Sequence, residues 1–363
     1  MSEATGTLWS DAFRVERAGI DPLAGLAGAI ATCGPLALGV AFNEPAIGVA
    51  GCFGGLNAAL GVPRGPLRER LGWGIAAALL CTLSVTIATA VQDSAVASAV
   101  AVLVIVALAT ALRSLGPDGG LTGFVIGAIF TITNGIPAAP LSIGERSMWF
   151  LAASAVGVAL MVLAYSGDHP LNRSATAPAL SDVLRTGAGK LRDTFAHDAV
   201  LRAHALRLAT VVAVTTLGYK LLDLEHGYWI PLTILAVLQP DEHASRVRAL
   251  QRAAGTLVGT IGIALLTIST GSQWLMVAAQ GLCAFGLFAL FARGYFWLVV
   301  LLTPTALLTI SAVDYQGADI ALERALTSGA GILIGLAIGE LVWRVAPQLP
   351  SGARPWHDDG RST

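Results

Sequence analysis

Charge is what this sequence has least of. Asp, Glu, Lys and Arg make up 12% of its 363 residues, against 55% that are hydrophobic. Soluble domains carry about 25% charged residues, and half of that cannot cover a surface that faces water. Lysine is scarcer still, with 2 Lys beside 20 Arg, a usage that fits a GC-rich bacterial genome. The formal net charge of −1 gives no footprint for nucleic acid, which needs a clustered basic excess. Also missing are the alternating strands of roughly ten residues that build membrane barrels; the apolar runs here are continuous. What remains is an all-α integral membrane protein.

Reactive groups are equally sparse. Cys33, Cys52, Cys81 and Cys283 lie inside apolar runs, with no metal spacing and no disulfide framework. They read as small packing residues. His169, His197, His204, His226, His243 and His357 are scattered and form no metal-ligand pair. No P-loop, no GxGxxG after a strand and no Ser-His-Asp set occurs. Neither an enzyme nor a bound cofactor is expected. The opening "MSEATGTLWSDAFRVERAGIDP" lacks the apolar core and cleavage site of a signal peptide.

Long apolar runs are what the chain has in plenty. A helix needs about 20 apolar residues to cross a bilayer. Twelve candidates occur: 22–42, 45–62, 70–91, 95–113, 120–137, 146–166, 201–222, 226–240, 250–270, 273–292, 294–313 and 323–345. The weakest are 45–62 and 226–240, because they are short. With the N-terminus inside, 19 of the 22 basic residues fall on the inner side, and only Arg146, Lys220 and Arg324 fall outside. Lys and Arg collect in cytoplasmic loops, so both termini are expected in the cytoplasm.

The layout divides into a cytoplasmic segment 1–21, a six-helix membrane repeat 22–166, a linker 167–200, a second repeat 201–345 and a tail 346–363. In the linker, Leu184, Ala188, Leu191, Phe195 and Ala199 recur at helical spacing. They read as an amphipathic helix on the inner membrane surface. The repeat rests on alignment: a shift of 178 puts Glu145 on Glu323, Arg146 on Arg324 and Thr131-Ile132 on Thr309-Ile310. In both halves an arginine-rich loop leads into a Gly-rich helix, "GVPRGPLRERLGWG" and "DEHASRVRALQRAAGTLVG". Two six-span halves run the same way, which implies an axis along the membrane normal and a path between the halves.

Arg146 and Arg324 are the first candidates on that path, because a guanidinium at membrane depth is costly and can clamp a carboxylate. The competing reading is interfacial anchoring with a local salt bridge. Asn134, in "TNGIPAAP", and Asp314, in "SAVDYQGAD", follow them as polar groups at broken helix ends. Pro35, Pro231 and Pro304 interrupt spans, as packing kinks or as unwound sites. Glu340 and Arg344 have the spacing of a surface ion pair.

One stretch carries a family pattern. "YWIPLTILAVLQPD", the arginines of "SRVRALQR" and then "AAGTLVGTIGIALL" resemble the fusaric acid resistance protein-like membrane family. That group is related to aromatic acid exporters and, more distantly, to plant aluminium-activated malate transporters. The matching positions are Tyr228, Trp229, Gln239, Pro240, Arg248, Arg252, Gly255, Thr256 and Gly259. The first half lacks the Tyr-Trp and Gln-Pro elements, with Glu44-Pro45 and Val62-Pro63 in their places. The resemblance implies a bacterial inner-membrane secondary transporter that exports aromatic or other organic acids. The alternatives are a passive organic-anion channel and a non-transport membrane scaffold. The partners implied are the lipid bilayer and a small organic anion, with room for a homo-oligomer. Tyr228 and Trp229 are expected at the outer interface. The short spans two and eight are expected to line or flank the path.

Overall fold

The computed structural model describes residues 8–13, 19–138, 140–167, 187, 189–193, 196–269, 272–311 and 319–345. Twelve α-helices of nine or more residues run through these residues: α1 Pro22–Ala41, α2 Pro45–Leu60, α3 Leu67–Val91, α4 Ala95–Ala111, α5 Pro117–Gly135, α6 Ile143–Ala164, α7 Ala199–Leu221, α8 Trp229–Val237, α9 Glu242–Ser269, α10 Gln273–Ala289, α11 Tyr295–Ser311 and α12 Asp319–Val345. Each expected segment overlaps one of them. Among the described residues, six stretches are long and apolar enough to cross a membrane: α1, α3, α4 with its 3-10 extension to Leu115, α6, α7 and residues Leu322–Gly339 of α12. Asp314 and most of the expected linker helix lie outside the described residues.

The helices form two shells. Large apolar side chains are exposed on α1, α3, α4, α6, α7, α9, α10 and α12, for example Leu83, Leu108, Leu163, Leu282 and Leu333. None of the exposed large hydrophobics belongs to α2, α5, α8 or α11. Those four helices fill the centre. The outer shell offers lipid the apolar surface it requires, with every helix satisfying its own backbone. The molecule is therefore a multi-pass membrane protein.

Small residues set the close approaches. A Cβ on Gly54 of α2 would fall 2.2 Å from the Phe150 carbonyl oxygen of α6, and Ser154 of α6 donates to the Gly54 carbonyl at 3.0 Å. Gly25 and Gly28 of α1 accept Phe285 and Phe288 of α10 in the same way. The first helix of each half packs on the fourth of the other: α1 on α10, and α7 on α4.

The backbone turns recur as well. Gly116 (φ +104°) ends the short 3-10 helix before α5, and Gly294 (φ +114°) does so before α11. Only glycine adopts that conformation freely. Asn43 and Asp223 take positive φ at the α1–α2 and α7–α8 turns.

Three expectations change. Residues 242–252 are not a loop, because α9 begins at Glu242 and carries Arg246, Arg248 and Arg252 on its first turns. Asp241 assists the start by accepting the Ala244 backbone N–H at 2.8 Å. The prolines mark no unwound sites. Pro35 and Pro304 sit inside the continuous α1 and α11. Pro231 is the third residue of α8, a first-turn position where the missing N–H costs nothing. Tyr228 and Trp229 are not lipid anchors: both are 2% exposed, their rings 4.7 Å apart, enclosed by the outer helices.

Candidate functional site

Two cavities lie along the central helices. The larger, about 780 Å³, opens at the end of the bundle that holds the α3–α4, α5–α6 and α7–α8 turns. Arg146, Lys220, Asp93, Asp223 and Glu225 contribute charge to its wall. The smaller, about 50 Å³, lies between α2, α5, α8 and α11, with Arg252 of α9 and Arg324 of α12 in its wall. Phe53 of α2 lines both. α2 thus contributes to both cavities, while α8 lines the smaller one through Trp229 and Leu232, with Tyr228 just before it on the larger.

α8, which meets the smaller cavity through Trp229 and Leu232, is short. Its nine residues rise about 14 Å, less than half of a bilayer core of about 30 Å. The chain then turns at Gln239-Pro240, and that turn is held by arginines from both halves. Arg113 donates to the Gln239 side-chain oxygen at 2.8 Å. Arg207 donates to its backbone carbonyl at 2.8 Å. The Gln239 N–H donates to the Ser245 hydroxyl at 2.8 Å. Below α8, α9 and α11 pack tightly, since Cβ atoms on Gly255 and Gly259 would meet Val299 at 2.8 Å and Pro304 at 3.0 Å. Thr256 is buried beside them. Arg248 stacks on the Tyr295 ring at 4.0 Å.

The candidate residues are not brought together. Arg146, 8% exposed, lines the larger cavity and donates to the Ile136 carbonyl at 3.2 Å. Its neighbour Glu145 closes a capping box with Ser142. Arg324, 2% exposed, lines the smaller cavity with Arg252. Its neighbour Glu323 pairs instead with His226 at 2.8 Å. Asn134 lines neither cavity. Its amide donates to the Ala88 carbonyl at 3.1 Å and the Ser98 hydroxyl at 3.0 Å, tying α5 to α3 and α4.

The electrostatics of the two cavities differ. In the larger one Lys220 donates to the carbonyls of Gln92 and Asn134 at 2.7 and 3.2 Å, and three acids share the wall. The smaller one has two guanidinium groups and no carboxylate in its wall. Arg324 lies with its Cζ 3.9 Å from the Trp229 ring centroid. Its Nε and Nη1, and the Nε of Arg252, are buried without hydrogen-bond partners. Buried charge without a counter-charge is costly, and no carboxylate among the described residues stands in that wall. Sequence alignment singled out Arg324 but placed Arg252 only within a family motif. Its spacing of ten residues from the start of α9 gave no sign that it turns inward.

Residues 208–338 match the family model described as fusaric acid resistance protein-like. The similarity to this family thus lies within the second half of the chain. Among relatives, YhfK of Escherichia coli K12 is 29% identical over 233 residues, covering 62% of this chain and 31% of YhfK. YccS, an inner membrane protein of the same strain, is 31% identical over 157 residues, covering 42% of this chain and 21% of YccS. The ORF2 protein of Neisseria gonorrhoeae is 41% identical over 83 residues, 22% of this chain and 20% of that protein. The chain thus matches less than a third of the length of these relatives. No solved structure matches it.

Proposed function

We propose that this protein is a bacterial inner-membrane secondary transporter that exports aromatic or other small organic acids. The observation that carries the reading is the smaller cavity between the halves, where Arg252 and Arg324 stand in the wall with no acid beside them among the described residues. Apolar walls from Phe53, Phe124, Trp229 and Leu232 suit a permeant with an apolar body and one charged group. The family's printed description, and the inner-membrane location printed for YccS, support the same reading.

We read the chain as two parallel six-helix repeats, 22–166 and 201–345, with both termini cytoplasmic. The recurring turn glycines Gly116 and Gly294 and the reciprocal α1–α10 and α4–α7 contacts support this. In that orientation the larger cavity faces outward. At about 50 Å³ the smaller cavity is well under the roughly 150 Å³ of a cavity that takes benzene. Passage therefore requires a change of shape, which favours a carrier over a standing pore.

Efflux of labelled benzoate from proteoliposomes, with and without an imposed proton gradient, tests this. Saturable, gradient-dependent efflux is expected. Steady anion current without a gradient would favour the channel. No flux across a broad acid panel, with a stable partner on pull-down, would favour the scaffold.

A further inference from the structure

We propose that the smaller cavity is a binding site for one compact anion of halide or formate size, held between Arg252 and Arg324. The inference rests on the transport reading for its purpose but not for its chemistry. Arg324 and Arg252 are 2% and 4% exposed. Among them, three guanidinium nitrogens have no hydrogen-bond partner. Every other wall residue is apolar or neutral, and Thr303 adds a hydroxyl. Trp229 covers one face of Arg324. A cation over a ring leaves the N–H groups in the guanidinium plane unsatisfied. One anion lying in that plane would satisfy donors from both arginines and cancel part of their mutual repulsion. Size selects the ligand. A cavity of about 50 Å³ exceeds the roughly 10–15 Å³ that one water needs and falls short of the roughly 150 Å³ of a cavity that takes benzene. A halide or a bare carboxylate head fits, and a sugar acid does not.

The two sources of that charge, an inorganic anion and the carboxylate of a permeant, separate by experiment. Thermal unfolding of the purified, detergent-solubilised protein is followed in sodium chloride, sodium formate and sodium gluconate at equal ionic strength. Chloride, formate or both should raise the midpoint saturably over gluconate. A response to chloride alone marks an inorganic-anion site, and a response to formate alone marks a carboxylate-head site. Arg324→Gln and Arg252→Gln should each weaken the response by roughly tenfold or more, the loss of a charged hydrogen bond. Arg146→Gln should leave it intact. Should Arg324→Gln not fold, Arg324→Lys serves, since it keeps the charge and loses the planar fork; it too should weaken the response. Bromide quenching of tryptophan fluorescence in the native protein, reduced in Trp229→Phe, gives an independent reading. Identical midpoints in the three salts, or an anion response that survives the Arg324 variants, would overturn the assignment. Acid efflux without an anion-specific shift defeats this site and leaves the transport reading. The shift without efflux does the reverse.

Discussion

The two halves of the molecule use like residues in unlike ways. In the first half, Arg70 is fully buried and donates to the Val162 carbonyl at 2.9 Å, while Arg146 donates to the Ile136 carbonyl. Both guanidinium groups satisfy carbonyls at the C-terminal ends of their own half's helices, α6 and α5. In the second half, Arg252 and Arg324 line the smaller cavity and keep buried donors without hydrogen-bond partners. Arg146 and Arg324 are alignment equivalents, so the difference does not lie in the sixth helix of each half. It lies in what surrounds the arginine: the α5–α6 turn offers Arg146 a carbonyl, while Arg324 meets the Trp229 ring and the end of the short α8. One half supplies scaffold, and the other supplies the groups that can hold an anion.

The largest effect should follow from removing that difference. Arg252→Gln with Arg324→Gln should lower benzoate efflux at least a hundredfold at unchanged expression, since each lost charged hydrogen bond is worth roughly tenfold or more. Initial rates in proteoliposomes read this. Next, packing should prove stricter in the first half. Gly54→Val sets a side chain against backbone at 2.2 Å, whereas a Cβ on Gly331 first meets the Thr233 side chain at 2.7 Å. Overpacking costs about 1–3 kcal/mol or more, so Gly54→Val should lower the unfolding midpoint further than Gly331→Ala. Gln239→Leu removes the acceptor that Arg113 of the first half uses. It should destabilise by about 1–3 kcal/mol, visible as an earlier midpoint, and Gln239→Glu should restore part of the loss. Smallest of all, Arg146→Gln should change the half-saturating benzoate concentration by less than about threefold.

Much of the shell architecture was legible in the sequence, and little of the depth was. Continuous apolar runs located a helix in each of twelve segments, because hydropathy reports whether a segment leaves water. It cannot report whether the segment then faces lipid or other helices. Tyr228 and Trp229 show the consequence: an aromatic pair beside a polar turn looks interfacial, yet α8 is so short that its first turn lies inside the bundle. The arginines of 246–252 looked like a loop because charge interrupts the apolar run, while the backbone was already helical from Glu242. Arg324 was visible as a candidate from the 178-residue shift. Arg252 was visible only as part of a motif, since its inward aim depends on how α9 crosses α12. Asn134 was a reasonable candidate by position, but its amide is consumed by neighbouring helices.

The central claim is that the permeant passes between the halves through the cavity of Arg252 and Arg324. The direct measurement places a single cysteine at Thr303, in the wall of that cavity, in a variant lacking the native cysteines. A small anionic thiol reagent is then added with and without benzoate. Thr303→Cys should react, and benzoate should slow the reaction in proportion to its occupancy of the transporter, while a cysteine at the lipid-facing Leu83 should show no such protection. Reaction at Thr303→Cys that benzoate leaves unchanged, in protein that still exports benzoate, would contradict the claim.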